Sequence, residues 1–96
     1  MIDWTRVTEL HREVGSEDFE EVVTLFIEEV EAALEALGPS TPSPEQLHFL
    51  RGGALNLGFT ALAQQCAASG TTDTLRACFA ESKATFLSQL QQRLAA

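Results

Sequence analysis

The stretch His48-Phe49-Leu50-Arg51-Gly52-Gly53-Ala54-Leu55-Asn56-Leu57-Gly58 contains a conflict around which the rest of the chain can be organised. Leu47, Leu50, Ala54 and Leu57 recur at three- and four-residue steps, the period of a helix with one apolar face. The interior of that helix nevertheless holds two adjacent glycines, each about 1 kcal/mol less favourable there than alanine. At about 100° per residue, a core-facing leucine stripe turns His48 outward, with Glu45, Gly52 and Asn56 on the solvent side and Arg51 on the other flank. A nucleophile, a cation and a missing side chain then share one patch of surface. Local rules broken without structural gain mark functional sites.

Working outward, the chain reads as five helical segments and no convincing strand. Upstream, Ser43-Pro44-Glu45-Gln46 is a helix start, with an N-cap serine, proline at the first helical position and a capping-box partner. Before it, Gly38-Pro39-Ser40-Thr41-Pro42-Ser43 is a breaker-rich loop too short to separate domains. The preceding helix starts after Ser16, ends at Gly38 and carries a wide apolar face through Phe19, Val22, Val23, Phe26, Ile27, Val30, Ala33, Leu34 and Leu37. Its opposite face is acidic. A shorter first helix from about Asp3 to Val14 has Asp3 as N-cap, Gly15 as terminator and Trp4, Val7, Leu10 and Val14 as its stripe.

Downstream, Asn56-Leu57-Gly58 stops the histidine helix and Thr60 opens a fourth, Ala61 to Ala68, with Leu62 and Cys66 inward. Ser69-Gly70-Thr71-Thr72 is a turn, and a last helix runs from about Asp73 to Leu94 with Leu75, Phe79, Phe86, Leu87, Leu90 and Leu94 on one side. Short links between amphipathic helices imply antiparallel neighbours. The expected fold is all-α: an up-and-down antiparallel four-helix bundle of the second to fifth helices, with the first as a lid over an end sealed by Trp4.

Ninety-six residues suffice for one domain spanning 1–96 with a single core. The net charge of −8, with six scattered basic residues, argues against nucleic acid, whose phosphates call for clustered Lys and Arg. The same charge favours solubility and a monomer. No long apolar run is present, so neither a membrane span nor a signal peptide is expected, and a cytoplasmic location follows as the default. Cys66 and Cys78 read as small buried hydrophobes and not as a disulfide framework. His11, His48, Cys66 and Cys78 show no metal-ligand spacing.

The chemistry available around His48 is that of half an active site. A free imidazole is mostly neutral near pH 7 and keeps one nucleophilic nitrogen. A guanidinium three residues on can form charge-assisted hydrogen bonds to phosphoryl oxygens, and Gly52 removes the side chain that would obstruct an approaching partner. Glu45, Phe49 and Asn56 flank the patch as partner-contacting candidates, although Asn56 also reads as a helix-end residue and Phe49 equally as a packing one. No carboxylate cluster or phosphate-binding loop accompanies the histidine, so the remaining chemistry must be supplied in trans.

His48-Phe49-Leu50-Arg51-Gly52, continuing to Asn56-Leu57-Gly58, resembles the signature of histidine-containing phosphotransfer (HPt) domains: His, any residue, Leu, Lys, Gly, then a small-residue stretch ending in Leu-Gly. Leu62 and Cys66 match that family's apolar positions in the next helix, and Phe26-Ile27-Glu28-Glu29 with Leu34 and Leu37 is similar to its second helix. The likeness therefore spans nearly the whole chain. It implies that His48 is phosphorylated on Nε2, that Arg51 contacts the phosphoryl group where the family usually has lysine, and that Gly52 admits the partner. It also implies a reversible relay in which an aspartyl phosphate on a response-regulator receiver domain, or a hybrid histidine kinase, supplies the group. The chain would need no cofactor of its own, since Mg²⁺ belongs to the receiver, and it would act as a stoichiometric carrier and not as an enzyme. Receivers dock on such domains through an apolar patch, to which Phe49 and a residue of the first helix are candidates. The sequence departs from the family at Arg51 and at Gly70, where many members carry Gln or an acidic side chain, a role that is either absent here or taken by Thr71 or Thr72. The competing reading is a helical adaptor that binds a receiver or kinase without phosphotransfer.

Overall fold

Asp3 sets the start of the first helix: its carboxylate accepts hydrogen bonds from the N–H groups of Thr5 and Arg6 at 3.1 and 3.2 Å. In the computed structural model, which describes residues 1–39 and 41–95, five helices follow: α1 (Trp4–Val14), α2 (Ser16–Glu35), α3 (Pro44–Leu57), α4 (Thr60–Ala67) and α5 (Thr72–Ala95). The protein is all-helical among the described residues, apart from a single antiparallel bridge between Ile2 and Phe59. Ser40, in the loop expected before α3, lies outside the described residues.

The caps explain the boundaries. At the head of α3 both halves of the capping box are made: the Gln46 N–H donates to Ser43 Oγ at 3.1 Å, and the Ser43 N–H donates to Gln46 Oε1 at 2.9 Å. Gly58 ends α3 in the left-handed region at φ 77°. At the head of α5, Thr71 Oγ1 accepts from the Thr74 N–H at 3.1 Å. Helix α2 stops at Glu35, earlier than the apolar pattern predicts, but Leu37 beyond it is still buried.

Helix α3 packs against both α2 and α4, α4 packs on α5, and α1 lies across α2 and α3. Leu50, Ala54, Leu57, Phe59, Leu62 and Leu75 are sealed from solvent and form the centre of the core. Trp4 stacks on Phe86 with centroids 5.8 Å apart, and the Arg93 guanidinium sits 5.2 Å above the same indole. Trp4 thus closes the end of the core where α1 meets α5.

Helix α5 corrects the sequence reading at two places. Leu87 is 54% exposed, because it follows Phe86 by one residue and is rotated about 100° off the buried stripe. The buried stripe runs Leu75, Phe79, Ser82 and Phe86, so a hydroxyl occupies a core position, and the expected Leu90 and Leu94 pack partly buried against the core. Cys66 is buried and Cys78 only half-buried, and both are free thiols. Among the described residues no helix is long and apolar enough to cross a membrane.

The segment before α1 was not legible as a structural element. The Asp3 N–H donates to the Gly58 carbonyl at 2.7 Å, and the Met1 carbonyl accepts from the Thr60 hydroxyl at 2.7 Å and the Thr60 N–H at 3.0 Å. Met1 therefore supplies the cap that Phe59, at the N-cap position of α4, has no side-chain group to provide. These bonds lock the turn between α3 and α4, and with it the end of the helix that carries His48.

Candidate functional site

The capped start and the buried leucines fix the rotation of α3, and this fixes what the helix shows to solvent. Leu50, Ala54 and Leu57 face the core, and His48, Arg51, Gly52, Glu45, Phe49 and Asn56 are all exposed. The two glycines divide by face. A Cβ on Gly53 would meet Val30 Cγ2 at 2.9 Å, so Gly53 lets α2 approach closely. One on Gly52 would meet nothing within 4 Å. Gly52 therefore leaves an open notch one turn after His48, and no internal packing accounts for it.

His48, Gly52 and Leu55 lie at i, i+4 and i+7 and form the crest of the exposed face. Leu55 is 43% exposed and was not singled out from the sequence; its spacing from His48 was the available signal. On the α2 side of the crest, Phe49 is 55% exposed and lines a shallow depression with Ala33, Ala36, Glu45 and Gln46. On the α4 side, Arg51 and Leu55 line a second depression with Thr60, Ala63, Gln64 and Ala67. The alanines of α2 and α4 that complete these hollows come from other helices, so a local pattern could not reveal them.

Arg51 makes no ion pair or hydrogen bond among the described residues. It stands one turn from His48, a spacing that places Cβ atoms about 5–6 Å apart, and its charge is uncommitted. The same guanidinium favours the Cys66 thiolate, but burial of that thiol dominates and, with Cys78 nearby, pushes its pKa up. Burial likewise raises Cys78. Neither thiol is poised as a nucleophile.

Asn56 belongs to the end of α3. Its carbonyl accepts from Arg6 Nε at 3.2 Å, and the Arg6 guanidinium also pairs with Glu13 at 3.2 Å. This contact from α1 lies about 12 Å along the axis from His48. His11 packs its ring edge-on against Phe19, centroids 4.9 Å apart, and is part of the α1–α2 contact. At Gly70, a Cβ would come within 3.1 Å of both the carbonyl oxygen and Oε1 of Gln65, so a side chain there would require Gln65 to give by a few tenths of an ångström. Among the described residues no group of three or more His, Cys, Asp or Glu side chains is arranged to hold a metal.

No family model, curated protein or solved structure matches this chain.

Proposed function

We propose that this protein is a histidine phosphotransfer carrier in which His48 accepts a phosphoryl group from a receiver-domain aspartate, or from a hybrid kinase, and passes it to another receiver. One observation carries the reading: an exposed histidine stands one helical turn from a glycine whose missing side chain would meet only open space. A notch beside a nucleophile matters only if another surface must come within bonding distance of the ring. The uncommitted Arg51 cation, the apolar Leu55 on the crest and Phe49 beside it agree with a phosphorylated, protein-sized partner.

In the proposed step, the lone pair on His48 Nε2 attacks phosphorus in line with the aspartyl P–O bond. The N–P bond forms as that P–O bond breaks, and the aspartate leaves as a carboxylate. Arg51 neutralises charge on the phosphoryl oxygens. The partner supplies its own Mg²⁺ and acidic pocket, and the reverse reaction regenerates the free imidazole. The protein would be a monomeric, stoichiometric carrier in the cytoplasm, with α2 to α5 arranged as an up-and-down bundle and α1 as its lid.

The test is incubation with phosphorylated receiver domains. Acid-labile, base-stable label on the wild-type protein is expected. It should disappear in His48→Gln and persist in His11→Gln. Label that survives His48→Gln overturns the assignment, and binding without label under any of the receivers would leave the protein an adaptor.

A further inference from the structure

The two sides of the His48 crest differ in charge as well as in shape. On the α4 side the hollow is lined by Arg51 and contains no carboxylate. On the α2 side, Glu45 stands at the edge of the Phe49–Ala33–Ala36 depression. Helix α2 carries eight of the protein's fourteen acidic residues and no basic one. Leu25, Glu29, Ala33 and Ala36 follow at steps of four, four and three and so share one face of that helix. Glu45 lines the Phe49 hollow and Glu29 stands one turn before Ala33, while Leu25, 51% exposed, lies two turns before Ala33 and lines a separate hollow with Glu20 and Glu21. Neither carboxylate is ion-paired among the described residues, where the ion pairs use Glu9, Glu13 and Glu31.

We infer that the groove between α2 and α3 is the seat of a partner protein's basic amphipathic helix, its apolar ridge against Ala33, Ala36 and Phe49 and its cationic flanks beside Glu29 and Glu45. A hollow between two helices is suited to the apolar face of a third. The uncompensated carboxylates select its charge: nucleic acid, an anionic lipid surface and a second copy of this −8 chain are all repelled from the same face. The difference in sign across the crest also orients the partner, with its basic helix on the α2 side and its phosphate-bearing acidic pocket towards Arg51. This orientation rests on the phosphotransfer reading, but the docking itself is measurable without phosphate.

The test uses two synthetic helical peptides of about five turns with the same leucine ridge, one flanked by lysine and one by glutamate. The lysine peptide is expected to shift the backbone amide resonances of Ala33, Ala36, Gln46 and Phe49 while leaving Ala63 and Ala67 in place. It should bind at least about tenfold more tightly than the glutamate peptide at low salt. Glu29→Lys/Glu45→Lys should abolish or reverse that preference. Asp73→Lys/Glu81→Lys makes the same change in net charge on α5 and should preserve it. Equal affinities, shifts spread over α1 and α5, or equal loss of preference in both double variants would overturn the inference, as would shifts produced by self-association on concentration. His48→Gln should bind the lysine peptide like wild type. Failure of every receiver to label His48 would therefore remove the phosphotransfer reading and leave the groove result intact.

Discussion

A Cβ added to Gly53 would lie 2.9 Å from Cγ2 of Val30, a β-branched side chain that is 1% exposed. Its neighbour Gly52 faces open space. Two adjacent glycines in one helix thus differ: packing constrains Gly53, and no contact among the described residues constrains Gly52.

Their alanine variants should move stability in opposite directions. Gly52→Ala gains the helix-propensity difference of about 1 kcal/mol with nothing to offset it. Gly53→Ala gains the same amount but forces Val30, which has little rotamer freedom, against its neighbours, an overpacking cost of about 1–3 kcal/mol. A higher unfolding midpoint for Gly52→Ala and a lower one for Gly53→Ala are expected in thermal or urea denaturation. Shifts of the same sign would show that the α2–α3 contact does not constrain Gly53.

Gly58 is constrained twice. Its φ of 77° is one that a side chain disfavours by about 1–2 kcal/mol, and an added Cβ would lie 2.7 Å from the Asp3 carbonyl oxygen. Gly58→Ala should therefore cost more than about 2 kcal/mol and push the N-terminal segment off the α3–α4 turn. The amides of Thr60 and Ala61, which both point at the Met1 carbonyl, should then exchange faster than those of Leu50 and Ala54 in hydrogen-exchange measurements. Unchanged protection at Thr60 would show that the segment does not hold the turn.

Much of the architecture could be read from the chain because it is locally encoded. Asp3, Ser43 with Gln46, and Gly58 each act within a few residues of their own position, so the caps predicted at these sites are the caps formed. The outward direction of His48, Arg51 and Gly52 followed from the leucine period alone. What could not be read depends on partners far along the chain. The Met1 cap on α4 spans 59 residues, and the hollows flanking His48 need alanines from α2 and α4. In α5 the signal was local: Phe86 and Leu87 are adjacent, so about 100° separates them, and the stripe set by Leu75 and Phe79 buries Phe86 and leaves Leu87 exposed.

Ser82 occupies the core stripe of α5 fully buried, and its Oγ finds no hydrogen-bond partner among the described residues. The Cys78 thiol one turn earlier faces it, but it is a weak donor and forms no bond of ordinary geometry with it. A buried hydroxyl left unsatisfied costs about 1–3 kcal/mol. Ser82→Ala removes it at almost constant volume and should raise stability by about 1 kcal/mol, read as a higher urea midpoint at unchanged slope. A loss of stability would mean that the hydroxyl is satisfied in solution.

Arg51 provides the sharpest chemical prediction. Its guanidinium is exposed, has no ion pair or hydrogen bond among the described residues, and stands one turn from His48. Removing it should leave the fold intact, with unchanged circular dichroism and midpoint, because no internal contact depends on its charge. Under the proposed mechanism it contributes a charge-assisted hydrogen bond to the transferring group, worth about 1.5–3 kcal/mol. Arg51→Ala should accordingly slow transfer from a phosphorylated receiver by about ten- to a hundredfold at saturating partner. Arg51→Lys keeps the charge but replaces the fork by a point donor, so it should lose much less. Labelling of Arg51→Ala at the wild-type rate would exclude the arginine from the phosphoryl site. An equal loss in both variants would instead assign its role to the fork geometry that lysine cannot reproduce.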